Sequence, residues 1–188
     1  PTVSFATIVD HNDTVDHLAT QMKDANLKIR VFIDIDCGMH RTGIPFGKSL
    51  HILREQIEKQ TSLEYAGLHV YDGHLHQPRL ETRRHETARI IQQVKDYDQE
   101  HSVVNVVGGG SPTFQFWAES TPWECSPGTT LFWDSGYATA FSELPYEIAL
   151  ALLTRVISKP GKNLFCLDCG YKALASEMPL RSRLTVIG

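Results

Sequence analysis

The sequence predicts an α/β domain on a parallel sheet, followed by the start of a β-rich second domain. Short β-prone runs alternate with longer segments of helical periodicity, and polar, glycine-rich segments mostly follow the runs. From Glu147 onward, apolar runs follow one another with no long helix between them. The alternation fits a (β/α)8 barrel at least as well as an open doubly wound sheet.

Phe5 to Val9 reads as a first strand. Asn12, Asp13 and Thr14 supply helix-cap chemistry, and Val15, Leu18, Ala19 and Met22 recur at helical spacing. Ile29 to Ile35 is apolar enough for a buried parallel strand, and Pro45 opens a helix bearing Leu50, Leu53 and Ile57. Tyr65 to Val70 is a third strand with Leu80 through Tyr97 as its helix; Val103 to Val107 is a fourth, ending in three glycines. Thr129 to Trp133 is read as a fifth. Ile148 to Ser158 and Leu164 to Asp168 then form β-prone runs joined by the turn Pro160-Gly161-Lys162. The boundary is placed so that residues 1–145 belong to the barrel and 146–188 begin the β domain. Two or three strands neither close a sheet nor bury both its faces, so the chain reads as a fragment.

Composition excludes several classes of function. With 188 residues, 41% of them hydrophobic, the chain has material for a sizeable core, and its net charge of -4 lacks the basic footprint of a nucleic-acid binder. No apolar run approaches a bilayer span and the N-terminus has no signal-peptide pattern, so a cytoplasmic protein is expected. Four cysteines in a chain this long do not make a disulfide framework. Cys166 and Cys169 are expected to be core thiols, as are Trp117, Trp123, Phe132 and Trp133 core or interface aromatics.

The chemistry-bearing segments are Asp36 to Gly43, Tyr71 to His74, Gly108 to Ser111 and Ser126 to Thr129. In a barrel the carboxyl ends of the strands form the active face, which is where these segments fall. Gly108, Gly109 and Gly110 with Ser111 and Thr113 suit an anion: glycines let backbone N–H groups approach closely, and the hydroxyls donate further hydrogen bonds. A tight glycine turn is the plainer reading. Neither a Walker loop nor a GxGxxG fingerprint is present. Asp34 and Asp36 alternate with Ile33 and Ile35 and therefore share one face of the strand, where an unpaired carboxylate is costly; one of them should meet a cation. His69 falls inside a strand, where neighbours alternate faces, and the loop residues His74 and His76 specify no third ligand, so no metal site is expected within the chain.

These segments together resemble the fold-type III pyridoxal-phosphate enzymes of the D-threonine aldolase and D-serine dehydratase group. Asp36 to Gly43 is similar to the D-x-G-M-x-R-x-G segment that this group shares with alanine racemases, and Gly67 to His74 to the group's G-x-x-x-Y-x-G-H. Gly108-Gly109-Gly110-Ser111-Pro112-Thr113 resembles its G-G-[GT]-[ST]-P-T phosphate loop. Glu124 with Pro127, Gly128 and Asp134 resembles its E-x-x-P-G-x-x-x-x-x-D, and Asp168 to Ala173 its D-x-G-x-K-A strand. The matches keep the family's order across most of the chain.

The resemblance implies a partial (β/α)8 TIM-type, alanine racemase-like barrel and the first part of a C-terminal β domain. It implies pyridoxal 5'-phosphate as cofactor and a lyase acting on a D-amino acid with a β-hydroxyl, by aldol cleavage or dehydration, with a homodimer as the assembly. Arg41 would approach the cofactor ring's phenolic oxygen, Tyr71 would pack on or hydrogen-bond the ring, and His74 would act as acid, base or orienting group. Gly108, Gly109, Gly110, Ser111, Thr113, Gly128 and Thr129 would hold the cofactor. The family's Schiff-base lysine lies ahead of the matched region, and its metal ligands, for Zn or Mn, lie beyond it, so this chain is expected to contain neither. An amino-acid racemase, a non-catalytic barrel that binds the same cofactor, and an unrelated sugar-phosphate enzyme using the same glycine loop are the alternatives.

Overall fold

A computed structural model describes residues 3–170, 173, 174, 179 and 183–186. The chain divides into two compact units, Pro1–Gly128 and Thr129–Gly188. In the first, β1 (Ala6–Val9), α1 (Asn12–Asp24), β2 (Ile29–Ile35), α2 (Lys48–Glu58), β3 (Leu63–Val70), α3 (Leu80–His101), β4 (Val106–Gly108), α4 (Phe114–Ser120) and β5 (Glu124–Cys125) follow in turn. The five strands are all parallel and lie in the order β1-β2-β3-β4-β5. Each strand pairs with its successor, with no reversal of order. That is the progression of a barrel wall; an open doubly wound sheet turns back at a switch point.

Alternation along the strands sorts the two faces. Val31, Ile33 and Ile35 on β2 are 0–2% exposed, as are Leu68 and Val70 on β3, and they share one core with Leu50, Leu53 and Ile57 of α2 and Ile90, Ile91 and Val94 of α3. The intervening Asp34 and His69 fall on the other face, side by side in the β2–β3 register. That register shifts between Val31 and Phe32, opposite Gly67. Gly67 has φ +131°, and a Cβ there would overlap the Asn105 carbonyl, so the bulge requires glycine.

The helices begin and end for local reasons. The cap of α1 is His11, whose Nδ1 accepts from the Asp13 N–H at 3.2 Å, one residue before the expected cap cluster. α3 ends on Ser102 in the left-handed region, whose N–H donates to the Asp98 carbonyl.

The second unit corrects one strand. Thr129–Leu131 is a 3-10 turn, because the N–H groups of Phe132 and Trp133 bond back to the Thr129 carbonyl; the fifth strand is Glu124–Cys125 instead. Trp133, Phe141 and Leu144 form a small cluster around α5 (Ser135–Ala140), while Phe132 is 54% exposed and is no core aromatic. Later, β6 (Val156–Gly161) and β7 (Leu164–Leu167) make an antiparallel hairpin whose residues are almost all exposed. Cys166 is exposed on it, contrary to the expected core thiol, because neither face of a two-stranded hairpin is covered by its own fold. Tyr171 and Lys172 of the D-x-G-x-K-A match lie outside the described residues.

Candidate active site

The segments that follow β2, β3 and β4 meet at the carboxyl end of the sheet. At the end of β2, Asp34 is 4% exposed and accepts hydrogen bonds from the Thr42 hydroxyl at 2.7 Å, with His69 Nδ1 2.6 Å away. Burial pushes its carboxyl up, but the His69 and Thr42 hydrogen bonds and the nearby charges of His69 and Arg41 more than offset this and hold it below the usual range. Asp36 folds the next loop onto itself by accepting from the His40 and Gly38 N–H groups, each at 3.0 Å, with His40 Nδ1 at 2.8 Å. Those bonds, led by the His40 N–H, draw it down to about 2. Both carboxylates thus have partners, and Asp34's cationic one is His69 of β3.

Arg41 leaves this loop with its guanidinium carbon 4.9 Å from the centre of the Tyr71 ring, a cation–π contact between the β2 and β3 loops. Cys37 adds a second tie, its thiol donating to the Tyr71 carbonyl at 3.3 Å, and burial pushes that thiol up to about 12. Asp34, Met39, Arg41, Thr42 and Tyr71 line a small cavity. The Tyr71 ring also lies against the glycine bend: a Cβ on Gly110 would stand 3.3 Å from the ring and 3.4 Å from the Asp72 carboxylate. Arg41 and Gly110 are therefore both neighbours in space of the Tyr71 ring.

The bend itself is organised by Asp72, which is 1% exposed. Asp72 Oδ1 accepts from the Gly110 N–H at 2.7 Å and the Thr113 hydroxyl at 2.8 Å, and Oδ2 from the Trp117 indole N–H at 2.9 Å. Gly109 turns the chain at φ +81°, its N–H donating to the Val70 carbonyl. The Gly110 N–H and Thr113 hydroxyl are thus committed to a carboxylate; Gly110 contributes shape, and Ser111 is buried in the same bend. Gly108 packs on Trp117 so closely that a Cβ would come within 2.7 Å of the indole.

His74 lies elsewhere. Its Nε2 would be 3.0 Å from a Cβ on Gly38, and it lines a separate cleft with Cys37, Glu86 and Arg89. Its Nδ1 is buried with no hydrogen-bond partner. Gly128 ends the first unit with open space where a Cβ would be, and Thr129 opens the 3-10 turn of the second.

The residues present fit a phosphorylated aromatic ring. A permanent cation stands over a phenol ring, and beside them a glycine bend keeps side chains off that ring, since a Cβ on Gly110 would stand 3.3 Å from it. Among the described residues no three His, Cys, Asp or Glu side chains gather to hold a metal ion.

Residues 3–136 match the model of the alanine racemase N-terminal domain. The chain is 27% identical over 178 residues to a D-threonine aldolase of Arthrobacter sp, covering 90% of this chain and 47% of the relative. It is 25% identical over 186 residues to a 3-hydroxy-D-aspartate aldolase of Paracoccus denitrificans, covering 92% and 48%. Among solved structures, a D-threonine aldolase from Filomicrobium marinum superposes with a TM-score of 0.80 at 27% identity, over 89% of this chain and 47% of that one. An alanine racemase-like protein from Idiomarina loihiensis, at 20% identity, shares the fold with a TM-score of 0.73 over 93% and 48%. The chain spans about half the length of these relatives. It belongs to the alanine racemase N-terminal-domain family, within the fold-type III pyridoxal-phosphate enzymes.

Proposed function

We propose that the full-length protein is a pyridoxal-phosphate-dependent lyase that acts on a D-amino acid bearing a β-hydroxyl. The observation that carries the reading is the meeting of Arg41, Tyr71 and Gly110 at the ends of three successive strands. Two relatives named as aldolases of D-threonine and 3-hydroxy-D-aspartate favour aldol cleavage over dehydration or racemisation. When bound, the cofactor draws electron density from the substrate's Cα. Arg41 would supply a permanent cation to the ring's phenolic oxygen, and Tyr71 would seat the ring. Gly108, Gly109, Gly110, Ser111, Thr113 and Gly128 would form the phosphate seat. Within it, Gly110 and Thr113 would act through the shape that Asp72 imposes, and Ser111 and Gly128 would supply contacts. His74, in its own cleft, would orient the Gly38 turn that precedes Arg41. A divalent metal, Zn or Mn, belongs to the same proposal.

A barrel over residues 1–145, a β domain from 146, a homodimeric assembly and a cytoplasmic location complete the proposal. No helix of the described residues is long and apolar enough to cross a membrane. The test is spectroscopic and then kinetic. Full-length protein with added pyridoxal phosphate should show a visible absorbance band that borohydride removes. With a divalent metal it should convert D-threonine to glycine and acetaldehyde. Release of a 2-oxo acid and ammonia would reassign it as a dehydratase, and absence of the band would overturn the cofactor reading.

A further inference from the structure

We propose that Arg83 is a positioning residue that locks the glycine bend to the Tyr71 loop, an inference that rests on the cofactor reading above. Arg83 is 0% exposed, on the face of α3 that also buries Thr87, Ile90, Ile91 and Val94. A core needs only an apolar side chain there, and a guanidinium removed from water is retained at a cost unless its hydrogen bonds are used. They are used on two loops. One arm, Nη1, donates to the Gln77 carbonyl at 2.6 Å and lies 3.4 Å from the Pro78 carbonyl, at the far end of the loop that starts with Tyr71. Another, Nε, reaches the Pro112 carbonyl at 3.4 Å, inside the bend that runs from Gly108 to Thr113.

A single planar fork therefore spans the segment that would seat the ring and the segment that would seat the phosphate. Asp72 makes the complementary tie, reaching from the start of the Tyr71 loop to Gly110 and Thr113. The bend is held at Gly110 by the carboxylate and at Pro112 by the guanidinium. The distance between ring seat and phosphate seat is thereby set by two buried side chains, Asp72 acting at Gly110 and Thr113 and Arg83 at Pro112. Lysine offers a point charge on a flexible stem and cannot hold both carbonyl groups in one plane.

The experiment compares Arg83→Lys and Arg83→Ala with wild type in the full-length protein. It measures the affinities for pyridoxal phosphate and for unphosphorylated pyridoxal, and the hydrogen exchange of segments 72–79 and 109–116. Arg83→Lys should weaken pyridoxal phosphate about tenfold while changing pyridoxal by less than about threefold. Guanidinium ion should restore part of the loss in Arg83→Ala. Both segments should exchange faster together, with the α2 amides unchanged. Equal weakening of the two ligands, or exchange that rises in one segment only, overturns the proposal. If wild type binds neither ligand, the cofactor reading has failed and the exchange data alone decide: joint loss of protection upholds the tie, and its absence removes it.

Discussion

Removing the Asp72 carboxylate tests the organisation of the site most directly. In Asp72→Ala, the buried Trp117 indole N–H loses its acceptor, while the Gly110 N–H keeps the Thr113 hydroxyl oxygen at 3.1 Å and that hydroxyl keeps the Gly110 carbonyl at 3.2 Å. A buried donor left unsatisfied costs about 1–3 kcal/mol, and the charge-assisted bonds lost at Gly110 and Thr113, where each donor retains a weaker partner, add about 2 kcal/mol together, so the loss is roughly 3–5 kcal/mol, a large share of a domain's usual 5–15 or so. Asp72→Asn keeps one oxygen. If that oxygen serves Gly110 and Thr113, the new amide faces the Trp117 N–H, donor against donor, and the loss falls to about 1.5–3 kcal/mol. Urea denaturation of the full-length protein followed by tryptophan fluorescence should therefore rank wild type above Asn above Ala. In a double-mutant cycle with Trp117→Phe, the coupling should reach about 1–3 kcal/mol, because the indole is a direct partner of the carboxylate. An Asp72→Ala protein within about 1 kcal/mol of wild type would refute the reasoning.

The remaining predictions follow from single positions. Gly67→Ala forces a Cβ into the Asn105 carbonyl at φ +131° and should cost at least about 3 kcal/mol or abolish soluble expression; a Tm within a few degrees of wild type contradicts the bulge. Asp36 is drawn from 3.8 to about 2 in the folded state, so its stabilising share is complete above 3.8 and is lost as pH falls to about 2. Acid denaturation of Asp36→Asn should accordingly be shallower than that of wild type across that window, and identical slopes would remove Asp36 from the account. Cys37, pushed up to about 12, is thiolate in only about one part in ten thousand at pH 8. Iodoacetamide followed by peptide mapping should label exposed Cys166 well before Cys37, and the reverse order would show the Cys37 loop to be open.

How far the fold could be read from the sequence depended on whether a segment's periodicity was long enough to be unambiguous. Ile29 to Ile35 was read with the limits it has, because its apolar run has the length and composition of a buried parallel strand, with Val31, Ile33 and Ile35 inside. Leu50, Leu53 and Ile57, at steps of three and four, left one helix face. Thr129 to Trp133 has the same apolar flavour over five residues. That is too short to tell a strand from a turn, and the Thr129 carbonyl captured the next N–H groups locally. Cys166 failed for a different reason: its apolar run does form a strand, but burial needs a second layer, and a hairpin alone does not supply one.

The site divides in the same way between what neighbours along the chain and what meets only in the fold. Glycine, hydroxyl and basic residues after strand ends marked the rim, since a barrel presents those ends together whatever the loops contain. The ties that fix the rim join residues far apart in sequence: Asp72 with Gly110 and Trp117, Asp34 with His69, Arg83 with Pro112. One of them did leave a trace. Arg83 stands on the same helical stripe as Thr87, Ile90, Ile91 and Val94, and an arginine on an apolar stripe must either reach water or find carbonyl groups. The residues that present chemistry, Arg41 and Tyr71, are the less buried ones; those that set their spacing, Asp72 and Arg83, are sealed. An exposed side chain can be replaced and leave the seat standing, whereas loss of either sealed tie moves the bend and the ring seat apart. Substitutions at Arg41 should therefore change what the site does, and substitutions at Asp72 or Arg83 whether it has a phosphate-sized gap at all.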